Sequence, residues 1–126
     1  MAKWINIAKI ERTLCEAMKT VSGNVFVNNV PNGVADAMND FVCVSVGNAV
    51  QNRNAYKESY VTIYLGVRNK KSNVEDSMRI DELANKIMSL LPMATDDFSL
   101  TSPDITFGSR QVDFTVTTIR CDLLIK

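Results

Sequence analysis

"VDFTVTTIRCDLLI", residues 112–125, alternates like a half-buried strand until Thr117 and Thr118, where the apolar side chains change sides. Val112, Phe114 and Val116 share one face; Ile119, Cys121, Leu123 and Ile125 share the other, because a pleated strand sends successive side chains to opposite faces. A flat sheet with one buried face cannot absorb that change. Fourteen residues would also reach roughly 46 Å at about 3.3 Å each. A compact chain of this size is only about 36 Å across, from a radius of gyration of about 14 Å. Two arrangements satisfy the pattern. A β-bulge at Thr117-Thr118 would add one residue, bend the strand and return every apolar side chain to one face. In the other, one end packs beneath the protein's own helices and the other end buries its opposite face against a neighbouring subunit.

Upstream, "DITF" before Gly108-Ser109 reads as a strand that turns into the long final one, and Met93 to Pro103 reads as irregular. Before that, Ile80, Leu83, Ala84, Ile87 and Leu91 form one helical stripe closed by Pro92, with Ser72 and Glu75 at capping-box spacing. Val42, Val44 and Val46, then Val61, Ile63, Leu65 and Val67, define two strands expected to pair antiparallel. Residues 48–59, "NAVQNRNAYKES", are too many for an ordinary hairpin turn and should project. "VFV" at 25–27 is a short strand leading into the turn "NNVPNG". Ile7, Ile10, Leu14, Ala17, Met18 and Val21 recur at helical spacing. Asn6 is placed to cap this first helix, Ile5 and Ile10 to staple it, and Ser22-Gly23 to stop it.

These elements predict an α+β fold in the order α-β-β-β-α-β-β: a mixed, mainly antiparallel sheet of four to five strands flanked by two helices, one domain over 1–126. With 46% hydrophobic residues, 126 residues suffice for one core. Fourteen basic residues balance 14 acidic ones, so no overall field favours nucleic acid or an anionic membrane. Charges at Lys3, Lys9, Glu11 and Arg12 break up any leader-like run, and the expectation is a soluble intracellular protein. Cys15, Cys43 and Cys121 lack metal-ligand spacing and fit apolar patterns as buried thiols.

No histidine occurs, which removes the commonest general base and metal ligand. Five scattered glycines make no phosphate-binding loop. Asp96, Asp97 and Asp104 are weighed as a hard-cation site and read instead as solvated loop acids. Neither a catalytic nor a metal site is expected, nor any cofactor. Arg120 and Asp122 fall on one face of the last strand and are expected to be a structural ion pair, with a subunit boundary as one setting. Tyr60, Thr62 and Tyr64 form an aromatic and hydroxyl stripe, a polar sheet surface or a contact surface. The basic run Arg68, Lys70 and Lys71 reads as a solvated turn.

A leading helix, the "VFVNNVP" turn, a strand pair with a long loop, a helix closed by "LLP" and a terminal strand pair together resemble the tail terminator or tail-completion proteins of long-tailed bacteriophages, with related neck proteins. The resemblance runs from about Ile5 to Ile125 and is one of element order, without a signature motif. It implies a mixed sheet flanked by helices and a ring, usually a hexamer, that caps the finished tail tube and joins it to the head. The implied partners are other copies of the chain, the tail-tube protein and the head connector protein; the implied location is the virion head–tail junction, after assembly in the host cytoplasm. On that reading Asn48, Gln51, Asn52, Arg53, Asn54, Tyr56 and Lys57 are partner-binding, and Tyr60, Thr62, Tyr64, Arg120 and Asp122 lie at the subunit interface. The alternative is a small α+β binding module of adaptor or immunity type, monomeric or dimeric. An enzyme is the least expected outcome, and neither membrane association nor direct nucleic-acid recognition is expected.

Overall fold

The structure, a computed structural model, describes residues 5–31, 37–47, 51–52, 57–110 and 113–126. Helix α1 spans Ile7–Met18, and the Asn6 side chain accepts the Lys9 amide at 3.2 Å as its cap. Strands β1 (Val25–Val27) and β2 (Asp40–Val46) follow, then β3 (Gln51–Asn52) and β4 (Lys57–Arg68). Helix α2 covers Ser77–Ser89, and β5 (Met93–Ala94), β6 (Phe98–Arg110) and β7 (Phe114–Ile125) complete the chain. The α2 cap is Asp76, which accepts the Arg79 amide, and not Ser72. Ser72 instead sits in a 3-10 turn with positive φ, because the chain doubles back through Lys70 and Val74 before the helix begins.

The sheet has seven strands in the order β1-β2-β4-β7-β6-β5, with β3 paired to the end of β4. The α+β class is as expected and the sheet is mixed, since β1 and β2 are parallel and the other pairs antiparallel. Two two-residue strands, β3 and β5, account for the larger strand count. The predicted β2–β4 pair forms in register, with Val44 opposite Ile63. The region expected to be irregular, 93–103, instead supplies β5 and the first half of β6, and Gly108-Ser109 lie inside β6, so the turn comes later.

The final strand is not bulged at Thr117-Thr118. Its pairing with β4 runs without a break from Phe114 opposite Arg68 to Ile125 opposite Lys57. The irregularities fall on its other neighbour: β6 takes an extra residue between Thr101 and Asp104 and another between Thr106 and Ser109. A straight β7 therefore does present apolar side chains to both faces. Ile119, Cys121, Leu123 and Ile125 join the main core under Leu14, Met18, Leu83 and Ile87 of the helices. Phe114 lies on the other side in a second, smaller core with Met38, Phe41 and Cys43, flanked by Phe26, Val30, Tyr64 and Val116. Val112 lies outside the described residues; the described part of the second apolar face, Phe114 and Val116, packs within the chain itself.

That second core is built on a glycine. Phe41 lies flat against Gly66, where a Cβ would overlap its ring, and meets Phe114 edge-on with centroids 5.5 Å apart. The Arg68 guanidinium sits 4.7 Å from the Phe114 centroid and donates through Nε to the Met38 carbonyl at 2.8 Å. On the helix side, buried Asp40 accepts from Ser22 Oγ at 2.5 Å and pairs with Arg79 at 3.0 Å, tying the end of α1, the start of β2 and α2 together. The pair holds Arg79 above its ordinary pKa, through hydrogen bonds first to Asp40 and then to Glu82. Among the described residues no helix is long and apolar enough to cross a membrane.

Candidate functional site

Helices α1 and α2 roof the sheet from β1 to β7 but leave β6 uncovered along much of its length. At Phe98 and Leu100 the strand is fully part of the main core. Farther along, beyond the first bulge, Ile105 is 40% exposed and Phe107 83%. The floor changes with it: Thr115 and Thr117 take the helix-facing positions of β7 where aliphatic residues stood nearer its end, and both are buried. Thr115 is satisfied by donating to Asn69 Oδ1 at 2.6 Å. The roof thus ends where the floor turns from aliphatic to hydroxyl-bearing.

Between α2 and β6 this leaves a groove of about 350 Å³. Ile80, Ala84 and Met88 form its helical wall, Ile105 and Phe107 its strand wall, and Thr117 and Ile119 its floor, with Glu75 and Asp81 adding acidic groups. Its volume lies within the range of ordinary ligand pockets. No hydrogen bond joins its hydroxyls, Ser77 and Thr117, to its carboxylates, Glu75 and Asp81, among the described residues, and its two walls offer mainly apolar contact area.

The groove adjoins an open sheet edge. β5 pairs only with Ser99 and Leu100, and among the described residues no strand flanks the outer side of β6 beyond them. Two bulges and Pro103 break up the hydrogen-bonding row that this edge presents. The four large apolar side chains exposed among the described residues are Val74, Met78, Ile105 and Phe107. Ile105 and Phe107 line the groove, and Val74 and Met78 adjoin its wall residues Glu75 and Ser77.

The interface residues expected from sequence sit elsewhere, on the sheet face opposite the helices. Tyr60, Thr62, Tyr64, Arg120 and Asp122 do share that face, with Tyr60 opposite Asp122 and Thr62 opposite Arg120. Tyr64 is partly used up in packing against the second core. Arg120 stacks 3.9 Å from the Tyr60 centroid, and Tyr60 in turn lies over Gly47, where a Cβ would come within 2.7 Å of its ring. Among the described residues Arg120 and Asp122 make no ion pair with each other; the arginine is held by an aromatic ring instead. Of the loop residues, Gln51 and Asn52 form β3 against Glu58 and Lys57, and Lys57 begins β4 opposite Ile125. Asn48, Arg53, Asn54 and Tyr56 lie outside the described residues.

Asp97 pairs with Lys9 at 2.9 Å, whereas Asp104 lies some six residues along β6 opposite Arg120, about 20 Å away at strand rise. The three carboxylates therefore do not converge, and no group able to hold a metal occurs among the described residues. All three cysteines have raised pKa values, chiefly through burial; Cys121, beside Asp122, is pushed up to about 11. All three are protonated at neutral pH; Cys43 and Cys121 are buried packing groups, whereas Cys15, expected to be buried, is only half-buried. Sequence reasoning missed the groove. Its signals were Ile105 and Phe107 alternating in "DITF", and Met78 on the polar flank of α2.

The family model YomW matches residues 8–112, from α1 through the whole of β6. The chain belongs to the YomW family. YomW is a family of a Bacillus prophage region, and membership in it fits a phage-related origin. Both walls of the groove lie within the matched YomW segment, while β7, which supplies its floor, follows it. Among curated proteins, none matches the chain.

Proposed function

We propose that the chain is a structural, non-enzymatic virion assembly protein: a ring of identical subunits that terminates the phage tail tube and joins it to the head. The observation that carries this reading is the outer side of β6, which no strand flanks beyond Leu100 among the described residues, with its exposed apolar side chains. A sheet open at both ends, β1 on one side and β5–β6 on the other, suits contacts between unlike surfaces that close by rotation into a ring. Membership of a prophage-region family supports the setting. The polar sheet face, with Arg120 fixed over Tyr60, and the 48–57 segment are the surfaces this reading gives to the tube and the head connector.

The test is to mix the purified chain with tail tubes from the phage region that encodes it, and to follow the mass by light scattering and the particles by negative stain. Rings at tube ends, at a multiple of 14.0 kDa, are expected. A chain that stays monomeric and ignores the tubes refutes the reading. A stable one-to-one complex with a cellular protein, and no ring, would point to the binding module instead.

A further inference from the structure

We propose that, away from the tail tube, two copies of the chain pair about a two-fold axis through the α2–β6 groove, each seating its Phe107 in the groove of the other. The first argument is the distribution of apolar surface. Of the four large exposed apolar side chains among the described residues, Ile105 and Phe107 line this groove, and Val74 and Met78 stand next in sequence to its lining residues Glu75 and Ser77. In the free chain the described residues offer no second group of large exposed apolar side chains to receive this one. A two-fold contact matches the patch to itself, since each copy brings the same knob and the same hole.

The shape agrees. Phe107, 83% exposed, stands at the wall of a groove of about 350 Å³ that nothing among the described residues fills. So does the charge. Glu75 and Asp81 lie along the groove, while Lys70 and Lys71 are exposed in the turn that leads into α2. A patch carrying both signs can face itself with unlike charges opposed, where a patch of one sign would repel its copy. The edge itself dictates the type of contact. Bulges before Asp104 and before Ser109, with Pro103 between Thr101 and Asp104, prevent a second strand from continuing the ladder, so association proceeds through side chains.

This pair covers the β6 edge that the proposed ring contact uses, so pairing and ring closure exclude each other there and the pair holds rings back until a tube is present. That role rests on the ring reading; the pairing does not.

The experiment is light scattering of the full chain from micromolar to millimolar concentration, with Phe107→Asp and, separately, Met78→Asp. The wild type should rise from 14.0 kDa towards twice that mass. Each two-fold contact contains Phe107 twice, so Phe107→Asp should weaken pairing by at least about a hundredfold, with circular dichroism unchanged because the residue is exposed. Arg120→Ala, on the opposite sheet face, should leave pairing intact. A wild type that is monomeric throughout, including one whose groove takes up an amphipathic peptide instead, overturns the proposal. So does a dimer that Phe107→Asp leaves unchanged. A dimer lost in Phe107→Asp from a chain that ignores tail tubes sustains the pairing and refutes the ring; rings on tubes from a chain that never pairs do the reverse.

Discussion

Two phenylalanines on neighbouring strands separate apolar surface that the chain covers from surface it leaves open. Phe114 on β7 is 7% exposed, and Phe107 on β6 is 83% exposed. Replacing Phe114 by Ala removes a buried ring worth roughly 1.5–3 kcal/mol in transfer. It also removes its edge-on contact with Phe41, worth about 0.5–1.5 kcal/mol, and the Arg68 guanidinium over its face, about 0.5–1 kcal/mol. These contributions overlap, and Tyr64 and Val116 beside it are only partly buried and can settle into the gap. The expected loss is therefore about 3 kcal/mol, a large share of the roughly 5–15 kcal/mol that stabilises a domain. Phe107→Ala should cost less than about 0.5 kcal/mol, as for other exposed positions. Both are read by urea unfolding at low micromolar concentration, where any pairing is dissociated, with an unchanged dependence on denaturant as the sign that the denatured state is the same. A Phe114→Ala loss below about 1 kcal/mol would refute the reasoning. The second core would then be no core, and the apolar side of β7 would need a subunit to cover it after all.

Gly66→Ala should destabilise by about 1–3 kcal/mol in the same assay, because its Cβ displaces the Phe41 ring and spoils the pair with Phe114. Arg79→Ala leaves the carboxylate of Asp40 partly buried with Ser22 as its remaining side-chain donor; a loss of about 1–3 kcal/mol is expected by urea unfolding. Cys121 predicts an alkaline effect. Burial pushes its folded pKa up to about 11, above the thiol's ordinary value near 9.0. The stabilisation is therefore complete below pH 9 and disappears as pH rises through 11, up to about 2–3 kcal/mol. Stability of the wild type and Cys121→Ala measured from pH 8 to pH 11 should converge over that window, and parallel curves would exclude the thiol as the cause.

The parts of the fold that were legible in sequence are those that local chemistry decides. Asn6 caps α1 because an acceptor lies three residues before a free amide, and β2 and β4 find each other because both alternate cleanly on one face. The position of the α2 cap was less legible. Ser72 and Asp76 both offer an oxygen before the helix, and the turn through Ser72 and Asn73, both at positive φ, gives the role to Asp76. Strand β6 is longer than its sequence pattern indicates. Its proline, its serines and its bulges disrupt the period-two pattern, although β7 holds it in the sheet on both sides of each irregularity. The change of side at Thr117 is legible in sequence as a packing problem. Its solution depends on Phe41, Met38 and Val30, all far away in sequence, and no local pattern announces that they will meet Phe114. The groove was illegible for a related reason: whether Phe107 is covered depends on how far α2 extends across the sheet.

The parallel pairing of β1 with β2 constrains evolution as well as shape. Neighbouring strands that run the same way cannot be joined by a tight hairpin, so the chain between Val27 and Asp40 must return to its starting end. Both described flanks of that connection, Val30 and Met38, rest on the second core. A deletion that cut the connector to hairpin length would therefore reverse β1 and unroof Phe114 in one step. This makes a stretch that looks like a dispensable surface loop one of the least negotiable lengths in the molecule.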